Sequence, residues 1–246
     1  MASDSQILAL RAATTVSLLG APLYWLQGRR VRRKTPRLDE APGKRSGRVP
    51  GAEPVFRIVG LGESPMAAVG LSDQAEGVVP ILAGQLAAAS PRRIEWQTAA
   101  RSGATARFTA DELLPQVDVA PTDLVIIALG VNDCLALTSP ARWRARLAHL
   151  TQAVTERLEP KRILLAGIPP MQHFPALPAP LSMMLGLRAS LLDAVSEQFA
   201  ERRPGVLHAA MNFVDQPDSL FCRDGFHPNA RAHALWAEQL AALAFK

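Results

Sequence analysis

From Pro54 onward, short apolar runs alternate with longer segments whose apolar residues recur every three or four positions. The runs at 55–61, 94–99, 124–129, 163–166 and, more weakly, 206–208 predict strands. Residues 124–129 are apolar throughout, as expected of a central strand covered on both faces. Helices are predicted between them. Thr109 followed by Glu112 has the form of a capping box, and Ser139-Pro140 suits an N-cap and first turn. After it Trp143, Leu147, Leu150, Val154 and Leu158 keep helical spacing, as do Leu187, Leu191, Leu192, Val195 and Phe199. A last helix is expected over 230–245. This alternation predicts an α/β fold, a three-layer α/β/α sandwich around a mostly parallel five-stranded sheet.

Upstream the pattern changes. Residues 7–26 form a largely apolar run of 20, interrupted by Arg11, Thr14, Thr15, Ser17, Gly20 and Pro22, and Arg29, Arg30, Arg32, Arg33, Lys34 and Arg37 follow it. A run of this length can cross a bilayer as a helix, although Arg11 within it is costly. Its positive charge lies behind the apolar run, the reverse of a signal peptide. Tyr24 and Trp25 followed by arginines resemble a cytoplasm-facing membrane boundary. The expectation is therefore membrane contact through residues 7–37, by a weak span or an interfacial helix, with a cytoplasmic body at the inner face. A helix packed on the body is the alternative. Residues 37–53, rich in Pro, Gly and charge, predict a linker. The chain thus divides into an N-terminal segment (1–36), a linker (37–53) and one domain (54–246).

Composition sharpens this division. Apolar residues make up 48% of the 246, enough for a buried core, but aromatics are only 5%, so that core must rest on Leu, Val, Ile and Ala. The net charge of +5 belongs to the first 50 residues, which carry +7 against −2 for the rest. A nucleic-acid binder would carry its basic residues on the folded domain, so no nucleic-acid partner is expected. Cys134 and Cys222 are too few for a disulfide framework and lack metal-ligand spacing. No metal and no cofactor are expected.

In an open parallel sheet, ligands bind at the carboxyl ends of strands near the switch in strand order. Those ends carry Gly62-Glu63-Ser64-Pro65, Arg101-Ser102-Gly103 and Gly130-Val131-Asn132-Asp133, and Asp224-Gly225-Phe226-His227-Pro228 precedes the final helix. Singly, each is also what a turn or helix cap would use. Together they supply a nucleophile, a base, a group to orient the base, and donors for an oxyanion, the needs of acyl transfer to water. Asp224 and His227 stand three residues apart, so the carboxylate can reach the Nδ1 side of the imidazole locally.

These four segments resemble, in order and separation, the sequence blocks of the SGNH (GDSL-type) hydrolases, over roughly residues 55–245. The resemblance implies the flavodoxin-like fold of that family and a serine ester hydrolase acting through an acyl-enzyme. On it, Ser64 is the nucleophile, His227 the general base and Asp224 its orienting carboxylate. The oxyanion donors are the N–H groups of Ser64 and Gly103 and the side-chain amide of Asn132. One departure stands out: the family reads Gly-Asp-Ser where this chain has Gly62-Glu63-Ser64, which keeps the charge and adds a methylene.

The segment 168–180 contains five prolines and should lie beside the site as a stiff loop. Met171 and Phe174 are the candidate acyl-chain wall, with short to medium acyl esters, small or lipid-like, as the expected substrates. Two other readings stay open. One is an acyltransferase using the same triad. The other is a catalytically silent, membrane-linked binding protein in which Glu63 marks a decayed site.

Overall fold

In the computed structural model, which describes residues 3–211 and 219–244, six strands form one sheet: β1 (Ser46–Val49), β2 (Ala52–Gly62), β3 (Arg92–Ala100), β4 (Leu124–Ala128), β5 (Arg162–Ala166) and β6 (Val206–Ala209). Their order is β1-β3-β2-β4-β5-β6. Strands β2 to β6 pair in parallel, and β1 runs antiparallel along β3. The chain leaves β2 for β3 on one side and returns to β4 on the other. The switch in strand order therefore falls between β2 and β4, where a crevice opens at their carboxyl ends.

The sheet is covered on both faces, and the period-2 alternation of its strands assigns each side chain to a layer. Ile58, Ile126 and Leu164 face a cluster with α3 (Val78–Ala89) and α8 (Ala230–Ala244). Val59, Leu61, Val125, Ile127, Ile163 and Leu165 face the opposite cluster, built with α6 (Pro140–Leu158) and α7 (Leu181–Glu201). All five residues of β4 are buried. The expected α/β/α sandwich is thus present.

Several expectations need correction. The sheet has six strands rather than five, because Ser46–Val49, within the expected linker, pairs with residues 94–97 of β3. Its sequence is polar and glycine-containing because it lies on an edge with one side in solvent, so no apolar alternation marks it. The Thr109–Glu112 pair does not form a capping box, because Thr109 is the first residue of a π-helical turn (Thr109–Leu113) rather than its cap. Thr105 accepts the cap bond from Phe108 N–H, opening the short α4 (Ala106–Phe108), and Thr109 lies in the wide turn that follows. Ser139 caps α6 as expected, its hydroxyl accepting from Arg142 N–H. The final helix is described to Ala244; Phe245, at its expected end, lies outside the described residues.

The apolar run at 7–26 is not one helix. It divides into α1 (Asp4–Ser17) and α2 (Ala21–Lys34), bent by 83° across Leu18–Gly20. Pro22 stands in the first turn of α2, where its missing N–H costs nothing. Among the described residues no single helix is long and apolar enough to cross a membrane. α1 and α2 instead lie against α7. Gln198 donates to Asp4 (2.5 Å), and Gln27 accepts from Leu181 N–H (3.1 Å) and donates to Ala179 O (2.8 Å). This second cover helps to bury Gln198 of α7, whereas buried Ser196 faces α6 and accepts from Trp143 Nε1 (2.9 Å).

Candidate active site

Ser64 opens the turn that follows β2, at the switch point, and is buried to 7% exposure. Its carbonyl accepts from Val69 N–H (3.1 Å), which closes the turn. Among the described residues the Ser64 N–H meets no acceptor. Neither does that of Gly103, at the turn after β3. Gly103 has φ +82°, a left-handed backbone that favours glycine.

The Glu63 side chain turns away from solvent toward α5 (Val131–Leu135), after β4. Its carboxylate accepts from Val131 N–H (2.9 Å), Asn132 N–H (2.9 Å) and the Asn132 Nδ2 amide (2.5 Å). Burial pushes its pKa up to about 7, against the opposing pull of the Asn132 and Val131 N–H bonds, with the Asp133 charge adding to the rise. Asn132 Nδ2 also donates to Ala104 O (3.1 Å), so both of its hydrogens are engaged. The extra methylene of Glu63 is thus used to join the nucleophile turn to the start of α5.

Residues 38–49 brace the third corner. Glu40 accepts from Ser102 N–H (2.6 Å) and pairs with Arg45 (2.5 Å), while Arg45 also donates to Ala100 O (2.5 Å). The backbone of Glu40 bridges to Val69, at the end of the Ser64 turn. Sequence reading missed this contact. Glu40 lies in a segment without apolar periodicity, and its partner is 62 residues away.

Asp224 and His227 come together on one loop. Asp224 Oδ2 lies 2.6 Å from His227 Nδ1, and Oδ1 accepts from the N–H groups of Phe226 (3.0 Å) and His227 (3.1 Å). Burial alone would raise the Asp224 pKa, but the bonds from the His227 side chain and these two N–H groups outweigh it and hold the carboxyl below its ordinary range. Gly225 sits at φ +64°, and a Cβ there would meet the backbone nitrogen of Ala176 at 3.0 Å. Phe221 bridges to Pro228. Asn229 caps α8 by accepting from Ala232 N–H (3.1 Å), so the loop is closed at its base.

Ser64 and His227 line one cleft, with Glu63 at its floor and an apolar wall that includes Leu129, Val131, Phe174, Phe226 and Trp236. The cleft is open to solvent at its mouth. Among the described residues no hydrogen bond joins Ser64 Oγ to His227; such contacts often tighten only with substrate bound. Gly103 and Asn132 stand outside this lining.

Phe174 lines the cleft, packed edge-on against Phe221 and Phe226 with centroids 5.1 Å away in both pairs. Met171 does not. It is fully buried in a 3₁₀ turn (Met171–His173) within the core cluster that includes α7, so it is no part of the wall. Its place is taken by Phe221 and Phe226, which flank Asp224 in sequence and whose apolar character was the available signal. The loop itself is pinned by Asp193, whose carboxylate accepts from Ile168 N–H (2.8 Å) and pairs with His208 (2.8 Å). Cys134 and Cys222 are free thiols, the first buried.

Comparison with known proteins agrees with this architecture. The chain is 27% identical to a GDSL-like esterase of Mycobacterium tuberculosis over 247 aligned positions, covering 93% of this chain and 78% of that protein. Among solved structures it is similar to TesA, with a TM-score of 0.57 and 25% identity over 77% of this chain and 98% of that one. It shares its fold with a carbohydrate esterase family 2 enzyme of Corynascus thermopiles (TM-score 0.61, 18% identity, 80% of this chain and 68% of that one). A model of the GDSL-like lipase/acylhydrolase family matches residues 61–235, most of the chain and every segment that contributes to the cleft after β2, and the chain therefore belongs to that family.

Proposed function

We propose that this protein is a serine carboxylic ester hydrolase in which Ser64 Oγ attacks the ester carbonyl and an acyl-enzyme forms. The observation that carries the reading is the meeting, in one apolar cleft, of a buried serine with an unengaged N–H and a histidine whose Nδ1 is held by a buried carboxylate. With Nδ1 committed to Asp224, the Nε2 of neutral His227 is the basic nitrogen. It takes the Ser64 proton and returns it to the leaving alcohol, and Asp224 stabilises the imidazolium between these steps. Water then repeats the sequence to release the acid.

The Ser64 and Gly103 N–H groups, unengaged among the described residues, are donors for the oxyanion. Asn132 adds a third by exchanging its longer bond, to Ala104 O, for the developing charge. Glu63 takes part in no bond-making step; it positions Asn132. The apolar wall supports short to medium acyl groups rather than charged ones.

The test is hydrolysis of p-nitrophenyl acetate, butyrate and octanoate by the wild-type chain and by Ser64→Ala. The wild type should turn over acetate and butyrate, and the variant should fall by about six orders of magnitude. Equal rates in the two proteins would remove Ser64 from the chemistry. The same assay run with an added alcohol reports acyl transfer as a new ester product.

A further inference from the structure

The N-terminal helices leave an apolar edge that the esterase reading does not use. Ile7, Tyr24 and Val31 turn toward the core. On the other sides of α1 and α2 and at the bend between them, Leu8, Val16, Leu19, Leu23, Trp25 and Leu26 are exposed, Leu19 to 86%. These are six of the eleven large apolar side chains exposed among the described residues, gathered within 19 positions. Such a concentration marks an interaction surface rather than scatter.

Charge decides what covers it. Arg29, Arg30, Arg32, Arg33 and Lys34 occupy the second half of α2 and are exposed. No acidic residue occurs between Asp4 and Asp39. The Arg29 guanidinium lies 4.7 Å from the Trp25 ring centroid, so cation and apolar edge form one surface. A second copy of the chain would bring two such clusters together, and like charges oppose that pairing. The edge is also a bent corner, where two helices meet at 83°. A deformable surface that carries negative charge and accepts apolar side chains fits both properties.

We infer that the chain docks on anionic lipid bilayers through this corner, with Leu19, Trp25 and Leu26 entering the headgroup boundary and the α2 cations facing lipid phosphates. The docked helix and the cleft belong to one body. Gln27 holds Ala179 O and Leu181 N–H, and Phe174 of the cleft wall is five residues from Ala179, at most about 18 Å of chain.

Flotation of the full chain with vesicles tests this. One set is phosphatidylcholine alone, the other contains added phosphatidylglycerol. The protein should float with the second set and not the first. Replacing Arg29, Arg30, Arg32 and Arg33 by Gln should lower partitioning by about 100-fold or more, and the triple variant Leu19→Glu, Trp25→Glu, Leu26→Glu should stay at the bottom. All seven positions are exposed, and unchanged circular dichroism and thermal unfolding verify the fold. Failure to float with anionic vesicles overturns the inference, as does equal flotation of the arginine variant. A concentration-dependent dimer abolished by the triple variant would assign the edge to a second copy. Flotation needs no turnover, so its result stands apart from the esterase reading.

Discussion

The two sides of the cleft are built in different ways. The Asp224–His227 side is local: one carboxylate makes three contacts within three residues, and a cap and a bridge close the loop at its base. The Ser64 side is assembled from afar. Glu63 meets Val131 and Asn132 across 68 and 69 positions, and Glu40 meets Ser102 across 62. A local motif carries its own geometry, whereas a distributed one depends on the sheet register that brings β2 and β4 side by side. Disturbing the first should alter chemistry with little change in stability, and disturbing the second should alter both.

Among the residues that only position the reacting groups, the largest effect is expected at the local side. In Asp224→Asn the amide can no longer accept from both the imidazole and the two N–H groups, and it favours the wrong histidine tautomer. We expect kcat for p-nitrophenyl butyrate to fall by about 10⁴-fold with KM nearly unchanged. A loss below tenfold would show that Asp224 does not orient the base.

The same contrast explains what was legible in the sequence. The Asp224–His227 pair could be placed because its partners lie within one turn of chain. The strands β2, β4 and β5 announced themselves by apolar runs, since burial on both faces demands them, whereas the partly exposed β3 and β6 carried weaker ones. Edge strand β1 did not, because half of its surface is wet and its residues are Ser, Gly, Arg and Val. Glu40 was invisible for a related reason: a carboxylate in a polar stretch has no periodicity, and its partner is known only once β1 and β3 are paired. Met171 misled because a methionine among prolines suits a cleft wall as well as a core, and only the packing of its turn against α7 distinguishes the two. Glu63 was legible as a departure, but its three donors were not.

On the distributed side, Glu63 gives a pH test. Its carboxyl titrates at about 7 in the folded protein and at 4.5 as its ordinary value. The folded state therefore binds more protons between those values, and stability should fall as pH rises from 4.5 through 7, then level off. The rise corresponds to about 3 kcal/mol. Buried His233, whose pKa burial lowers to about 4, works in the opposite sense: the stability it contributes is present above 6.5 and lost as pH falls toward 4. Comparing wild type with Glu63→Gln removes the histidine contribution, since both proteins share it. The stability difference between them, from urea unfolding at a series of pH values, should shift by about 3 kcal/mol in favour of the variant from pH 4.5 to 8. A difference independent of pH would mean that Glu63 is ionised throughout this range.

The smallest effect separates positioning from stability on the same side. Glu40→Gln keeps one acceptor for Ser102 N–H but weakens that bond and the Arg45 pair, both partly exposed. A charge-assisted hydrogen bond of this kind supports a loss of about tenfold. If Glu40 fixes the Ser102-Gly103 turn, the loss should appear in kcat, because Gly103 N–H would act only on the transition-state oxyanion. If it merely ties residues 38–49 to the sheet, the midpoint of unfolding should drop while kcat at low temperature stays at the wild-type value. Measuring both in one variant distinguishes the two outcomes, and only a fall in kcat makes the segment upstream of β2 part of the active-site architecture.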